Sequence, residues 1–226
     1  MIAGQKSRGT NGKDNALFPL AYMYLTQGEY EYTYSHNGTY AMDFAGYGPS
    51  GVILNCPYYA PFDCHLVAKW GSTSPMLVWE SDSEVNYVDG TTAYMCIGFV
   101  HDDNVEQFVI GEHRLQGDII GHTGTYGVGT GDHVHIEVSS GHYGGYYQNS
   151  AGIYQLRNEY HIYNALGVND TVLVKDYYVN HQNVRVNYPW KYFGGGPTPP
   201  TPTVYKKSKF PWVLYANKLR KMSSLH

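Results

Sequence analysis

The chain has 226 residues, enough for one sizeable domain with appendages, and its 15 basic against 19 acidic residues give a formal charge of −4, from which no nucleic-acid partner is expected. No stretch approaches the roughly 18 apolar residues that cross a bilayer, and three cysteines without a C-x-x-C pair argue against a disulfide scaffold. Tyrosine (24 residues) and glycine (26 residues) are abundant and charges are sparse, a composition that favours strands and loops over helices.

Residues 1–29 read as a lead-in. The opening residues Met1, Ile2, Ala3, Gly4, Gln5 and Lys6 lack the apolar core of a signal peptide. Tyr30, Tyr32 and Tyr34 then alternate just before His36, and one of them is a candidate hydrogen-bond donor to an oxyanion. Asp43 sits between Met42 and Phe44 in a run that reads as a strand. A carboxylate among apolar neighbours is costly unless paired or bound to a metal. A hairpin is expected over 59–70, with His65 a structural residue in it, and Cys56, Cys64 and Cys96 are expected to be mostly free, buried thiols. The apolar run Ile97-Gly98-Phe99-Val100 ends in His101.

The most informative stretch is Gly131-Asp132-His133-Val134-His135-Ile136-Glu137-Val138, preceded by a Gly/Thr-rich approach from Gly124. Side chains two apart on a strand share a face, so His133 and His135 point the same way. Two imidazole nitrogens and a carboxylate oxygen make a typical catalytic zinc set with the fourth position left to water. The bland reading is a polar stripe on an exposed sheet face. Glu137 shares the face of His135, either as its hydrogen-bonding partner or as a solvated residue.

Residues 141–193 form a tyrosine-rich extension expected to flank the groove. Within it, 152–161 reads as a short helix or irregular chain, 169–174 as a turn into a strand, and His142, His161 and His181 show no ligand pattern. A Gly/Pro/Thr linker follows over 194–204. The tail, 205–226, has six basic residues and no acid, against nine basic and nineteen acidic residues in the rest, whose formal charge is therefore about −10. Such a flexible basic, aromatic tail suits contact with an anionic wall polymer or a membrane surface.

Four of these features, in this order, resemble the LytM/lysostaphin-type M23 zinc metallopeptidases, which are peptidoglycan endopeptidases. They are the His36…Asp43 pair, the Ala60-Pro61 hairpin, the strand-end His101, and Gly117-Asp118-Ile119-Ile120-Gly121-His122-Thr123-Gly124 leading to the His133/His135 strand. The resemblance spans about 30–138. It implies an all-β domain of mostly antiparallel sheets over 30–193, with core motifs over 30–140. It implies Zn2+ held by His36, Asp43 and His135, with His101 and His133 as catalytic residues beside the metal. It implies hydrolysis of peptide bonds in the stems or cross-bridges of peptidoglycan. Six residues separate His36 from Asp43 where the family usually has three, room for a bulge or a wider turn near Gly38-Thr39-Tyr40. Cys64-His65 stands where a small turn residue is common.

A wall-cutting enzyme without an export signal leaves the cytoplasm by another route. The expectation is therefore a phage endolysin or virion-associated lysin acting at the bacterial wall. Two rival readings are a catalytically silent M23-like module that binds wall or stiffens a tail tip, and a cupin-like metal enzyme, which would place its His-x-His pair in a barrel.

Overall fold

The β-branched and aromatic runs of the sequence pair into one eight-stranded sheet, seen in a computed structural model that describes residues 1–31, 35–73, 75–127 and 131–195. Its strands, in chain order, are β1 (Tyr22–Gln27), β2 (Met42–Phe44), β3 (Cys64–Trp70), β4 (Met76–Ser81), β5 (Met95–Val100), β6 (His113–Arg114), β7 (Val134–Ser140) and β8 (Val172–Lys175). They lie in the order β6-β3-β4-β5-β7-β2-β1-β8. Every neighbouring pair is antiparallel except β1 with β8. The fold is thus all-β and mostly antiparallel, with one turn of α-helix among the described residues, α1 (Ile162–Ala165). The sheet is open, with β6 and β8 as its edges, where a cupin-like reading calls for a barrel. Among the described residues no helix is long and apolar enough to cross a membrane. Tyr32, Tyr34, residues 128–130 and nearly all of the expected linker and tail lie outside the described residues.

Alternation along β7 divides the sheet into two faces. Val134, Ile136 and Val138 enter the main core, where they meet Phe44, Leu66, Trp79, Ile97 and Phe99. The opposite face carries His135, Glu137 and Ser139. It has a smaller apolar cluster of Met76, Val78, Cys96, Val100 and Leu156. A hairpin of Tyr146–Gln148 with Tyr154–Leu156 supplies Leu156 to that cluster. All three cysteines are free, with Cys64 and Cys96 buried.

Two regions contribute more than the sequence suggests. Residues 1–29, expected to be a lead-in, provide β1 and core residues Ala16, Phe18, Leu20, Met23 and Leu25. Phe18 meets Phe44 edge-on at 5.0 Å. Burial on β1 alternates at Met23 and Leu25, but half-buried Tyr22 and Tyr24 between them blur the pattern. The extension closes the core through Ile162, Ala165, Leu166 and Val168. Its 152–161 stretch holds a strand, with the helical turn beginning only at Ile162. The three histidines without a ligand pattern tie the extension down. His142 pairs with Glu80, His161 with Glu29 and His181 with Glu31, at 2.6, 2.8 and 3.0 Å.

Candidate metal centre

Register places the site. His135 on β7 lies directly opposite Asp43 on β2 and opposite Val100 on β5. Cross-strand partners share a face, with Cβ atoms about 5 Å apart, so the imidazole and the carboxylate meet although 92 residues separate them. Met42 and Phe44, flanking Asp43, turn into the core and fix the orientation of the strand.

His36 arrives from a turn outside the sheet. The residues between it and Asp43 form a tight reversal rather than a bulge. Gly38 adopts φ 76°, a left-handed conformation costly for other residues, and the Thr39 N–H donates to the His36 carbonyl. Asn149 of the extension donates to the carbonyls of Asn37 and Gly38 and holds this turn in place. His36 is completely buried. Its Nδ1–H donates to the Gly28 carbonyl at 2.9 Å, which turns Nε2 toward the other two residues.

The three donor atoms form a compact triangle. His36 Nε2 lies 3.2 Å from Asp43 Oδ1 and 3.2 Å from His135 Nδ1, and His135 Nδ1 lies 2.9 Å from Asp43 Oδ1. A tetrahedral zinc site with arms of 2.0–2.2 Å has edges of about 3.4 Å. The triangle therefore needs to open by only a few tenths of an ångström to admit such an ion. The donor set, two imidazole nitrogens and one carboxylate oxygen, suits zinc. His135 Nε2–H faces Glu137 Oε1 at 3.3 Å, and Glu137 Oε2 accepts the Leu156 N–H at 2.7 Å. Both imidazoles of the triangle are thus oriented through their far nitrogens, one by a backbone carbonyl and one by a carboxylate.

Charge is concentrated here. Burial pushes the Asp43 carboxyl up, but the imidazoles of His36 and His135 overcome it and hold the group well below the usual carboxylate range. Burial also disfavours the charged form of His135, yet hydrogen bonds to Asp43 and Glu137 outweigh it and raise the imidazole to about 10. A cation entering the triangle replaces that proton, so uptake releases protons to solvent.

His133 and His101 stand beside the triangle. His133 Nδ1–H donates to the Gly131 carbonyl at 2.8 Å, and its Nε2 is 3.7 Å from Asp43 Oδ2. His101 follows the end of β5 with φ 82°. Its Nδ1–H donates to the Tyr126 carbonyl at 2.9 Å. The two rings are 4.6 Å apart. Burial, followed by the neighbouring His135 charge, lowers the His101 imidazole to about 4. Gly124 makes this arrangement possible. It exchanges backbone hydrogen bonds with His133, and a Cβ on it would lie 2.3 Å from the His101 carbonyl oxygen. The close approach of backbone at Gly124 is the role its Gly/Thr-rich setting suggested, whereas the Gly28 and Tyr126 carbonyls were not singled out from the sequence, because a backbone carbonyl carries no residue-type signal. Of the alternating tyrosines, Tyr30 is exposed and packs edge-on against Tyr40.

Fold and site together define an open, mostly antiparallel β-sheet protein with a His-Asp-His group able to hold a metal ion. No family model matches the sequence. Over 185 residues the chain is 35% identical to Morphogenesis protein 1 of Bacillus phage B103, a match covering 81% of this chain and 46% of that protein. The chain thus spans about half the length of that relative. Among solved structures it is similar to a zinc-containing peptidase from Vibrio cholerae (20% identity, 57% of this chain and 41% of that one, TM-score 0.40). It is also similar to the antimicrobial peptidase lysostaphin from Staphylococcus simulans (18% identity, 75% of this chain and 65% of that one, TM-score 0.41).

Proposed function

We propose that this chain is a zinc-dependent endopeptidase of the M23 type that hydrolyses peptide bonds in bacterial peptidoglycan. The observation that carries the reading is the triangle of His36, Asp43 and His135, with two further imidazoles, His101 and His133, beside it. The M23-like order of motifs along the sequence supports the same reading. Identity to a phage morphogenesis protein supports a phage origin.

In this reading His36 Nε2, Asp43 Oδ1 and His135 Nδ1 hold the ion. Bound zinc supplies a Lewis acid for the scissile carbonyl and lowers the pKa of water toward neutrality. The chain's own residues handle the protons. His101 and His133 each commit Nδ1–H to a backbone carbonyl, so in the neutral tautomer Nε2 carries the lone pair. Each can take a proton from the attacking water, return it to the leaving amine, or, once protonated, donate to the developing oxyanion. Glu137 and the Gly28 carbonyl keep His135 and His36 in place.

Chelation tests the reading as a whole. Treating the full chain with a strong chelator abolishes its clearing of purified cell walls, and adding back stoichiometric Zn2+ restores it. Clearing that survives complete metal removal refutes the zinc mechanism, and a zinc-loaded protein that never releases soluble peptide favours the silent wall-binding module. The orientation of His135 has its own test. In Glu137→Gln the side-chain amide has one acceptor oxygen for the two hydrogen bonds the carboxylate now accepts. Zinc retention then weakens by about 10–100-fold in chelator competition. Retention equal to the parent would remove Glu137 from the site.

A further inference from the structure

The same face of the sheet carries a second His-Asp-His group at its far corner. His113 on β6 lies directly opposite His65 on β3, and the two rings are 5.3 Å apart. Asp82, the residue after β4, points its carboxylate between them. His65 Nδ1 is 2.7 Å from Asp82 Oδ1 and His113 Nδ1 is 3.1 Å from Asp82 Oδ2. One ligand atom from each residue falls within 4.8 Å of the others. Asp82 is anchored, since its N–H donates to the Asp63 carbonyl at 3.0 Å.

From this geometry we propose that His65, Asp82 and His113 form a second, peripheral binding site for a divalent late transition-metal ion, of which Zn2+ is the physiological candidate. Two imidazoles and a carboxylate select Zn2+, Co2+, Ni2+ or Cu2+ over Mg2+ or Ca2+, which prefer all-oxygen sets. The side chains of His65, Asp82 and His113 are 30%, 34% and 68% exposed, so water can complete the coordination. The register row His113-His65-Glu80-Cys96-Ser139 meets β7 four residues beyond His135. From strand spacing and rise, the two groups are about 20 Å apart, so one ion cannot serve both.

The second site holds structure rather than chemistry. β6 is a two-residue edge strand. It ends the stretch that leaves β5 at His101, passes through a short 3-10 turn (Val105–Gln107) and returns to the sheet. An ion bridging His113 to His65 and Asp82 pins that return, and binding only to the folded chain raises stability by mass action.

The site is separable from the central one. Asp43→Ala protein, stripped of metal and titrated calorimetrically with ZnCl2, retains one equivalent of uptake. Adding His113→Ala to that variant lowers the affinity of the remaining equivalent by at least about tenfold. In the otherwise unaltered chain, His113→Ala removes the part of the zinc-induced rise in Tm that Asp43→Ala spares. A crystal of the unaltered protein grown with Zn2+ gives an anomalous peak beside His65 Nδ1 and His113 Nδ1. Absence of that peak, or zinc uptake by Asp43→Ala protein that His113→Ala leaves unchanged, overturns the proposal. Neither outcome depends on whether the central site hydrolyses walls.

Discussion

Asp43→Ala protein is expected to fold, to lose zinc from the central site and to fall by at least about 10³-fold in the rate at which it releases peptide from cell walls. The magnitude follows from what the carboxylate does. It is the anionic donor of the triangle and sits 2.9–3.2 Å from both nitrogen donors. Without it two imidazoles face each other, and a metal contribution of several kcal/mol to the transition state disappears, each 1.36 kcal/mol being tenfold in rate. The fold survives because Asp43 supplies none of the core. Met42 and Phe44 supply it on either side, and the backbone ladder to His135 and Val134 is unchanged by the substitution. The cost to stability is that of leaving His36 and His135 without their shared acceptor, about 1–3 kcal/mol, which a thermal melt resolves. Bound zinc by elemental analysis and soluble peptide by amine labelling give the other two readouts. Undiminished hydrolysis from a zinc-free variant would end the assignment, and a collapsed melt would show Asp43 to be structural first.

Much of this site was legible because it is built on a strand. His-x-His in an apolar, β-branched run fixes two side chains on one face whatever the rest of the fold does. Asp43 was visible for the opposite reason, as a charge where the pattern demands an apolar residue. What sequence could not supply was register. That His135 lies across from Asp43, and not one residue to either side, depends on pairing between segments far apart in the chain. The turn at His36 was open between a bulge and a wider reversal, and the deciding contacts come from Asn149, in a segment with no readable pattern of its own. Residues 1–29 and 141–193 were underestimated for a related reason. Their core contributions come from short continuous buried runs, Ala16 to Leu20 and Ala165 to Val168, that follow neither a helical nor a strand period. His65 shows the limit most clearly. Read alone it is a hairpin residue, and only pairing of β3 with β6 brings His113 beside it.

His101 and His133 give the second large effect, separable from metal loss. His133→Ala is expected to keep its zinc while hydrolysis falls by about 10²–10⁴-fold, the usual contribution of a positioned acid or base. His101 needs a different substitution. Its φ of 82° lies in the left-handed region, where a Cβ costs about 1–2 kcal/mol. His101→Ala would therefore keep that strain and lose the Nδ1–H bond to Tyr126 that helps offset it. His101→Gly removes the imidazole and accepts the backbone as it stands, so it isolates the chemical role. If the two rings, 4.6 Å apart, serve one proton path, the double variant His101→Gly/His133→Ala is scarcely slower than the worse single one, because groups acting as a unit are not additive. If each acts on a separate step, the losses multiply. Zinc content measured alongside the rate decides whether either histidine belongs with the chemistry. A variant that loses both metal and activity in proportion would move that histidine into the ligand set, while one that keeps both would make it a packing residue held by Gly124 and the Tyr126 carbonyl.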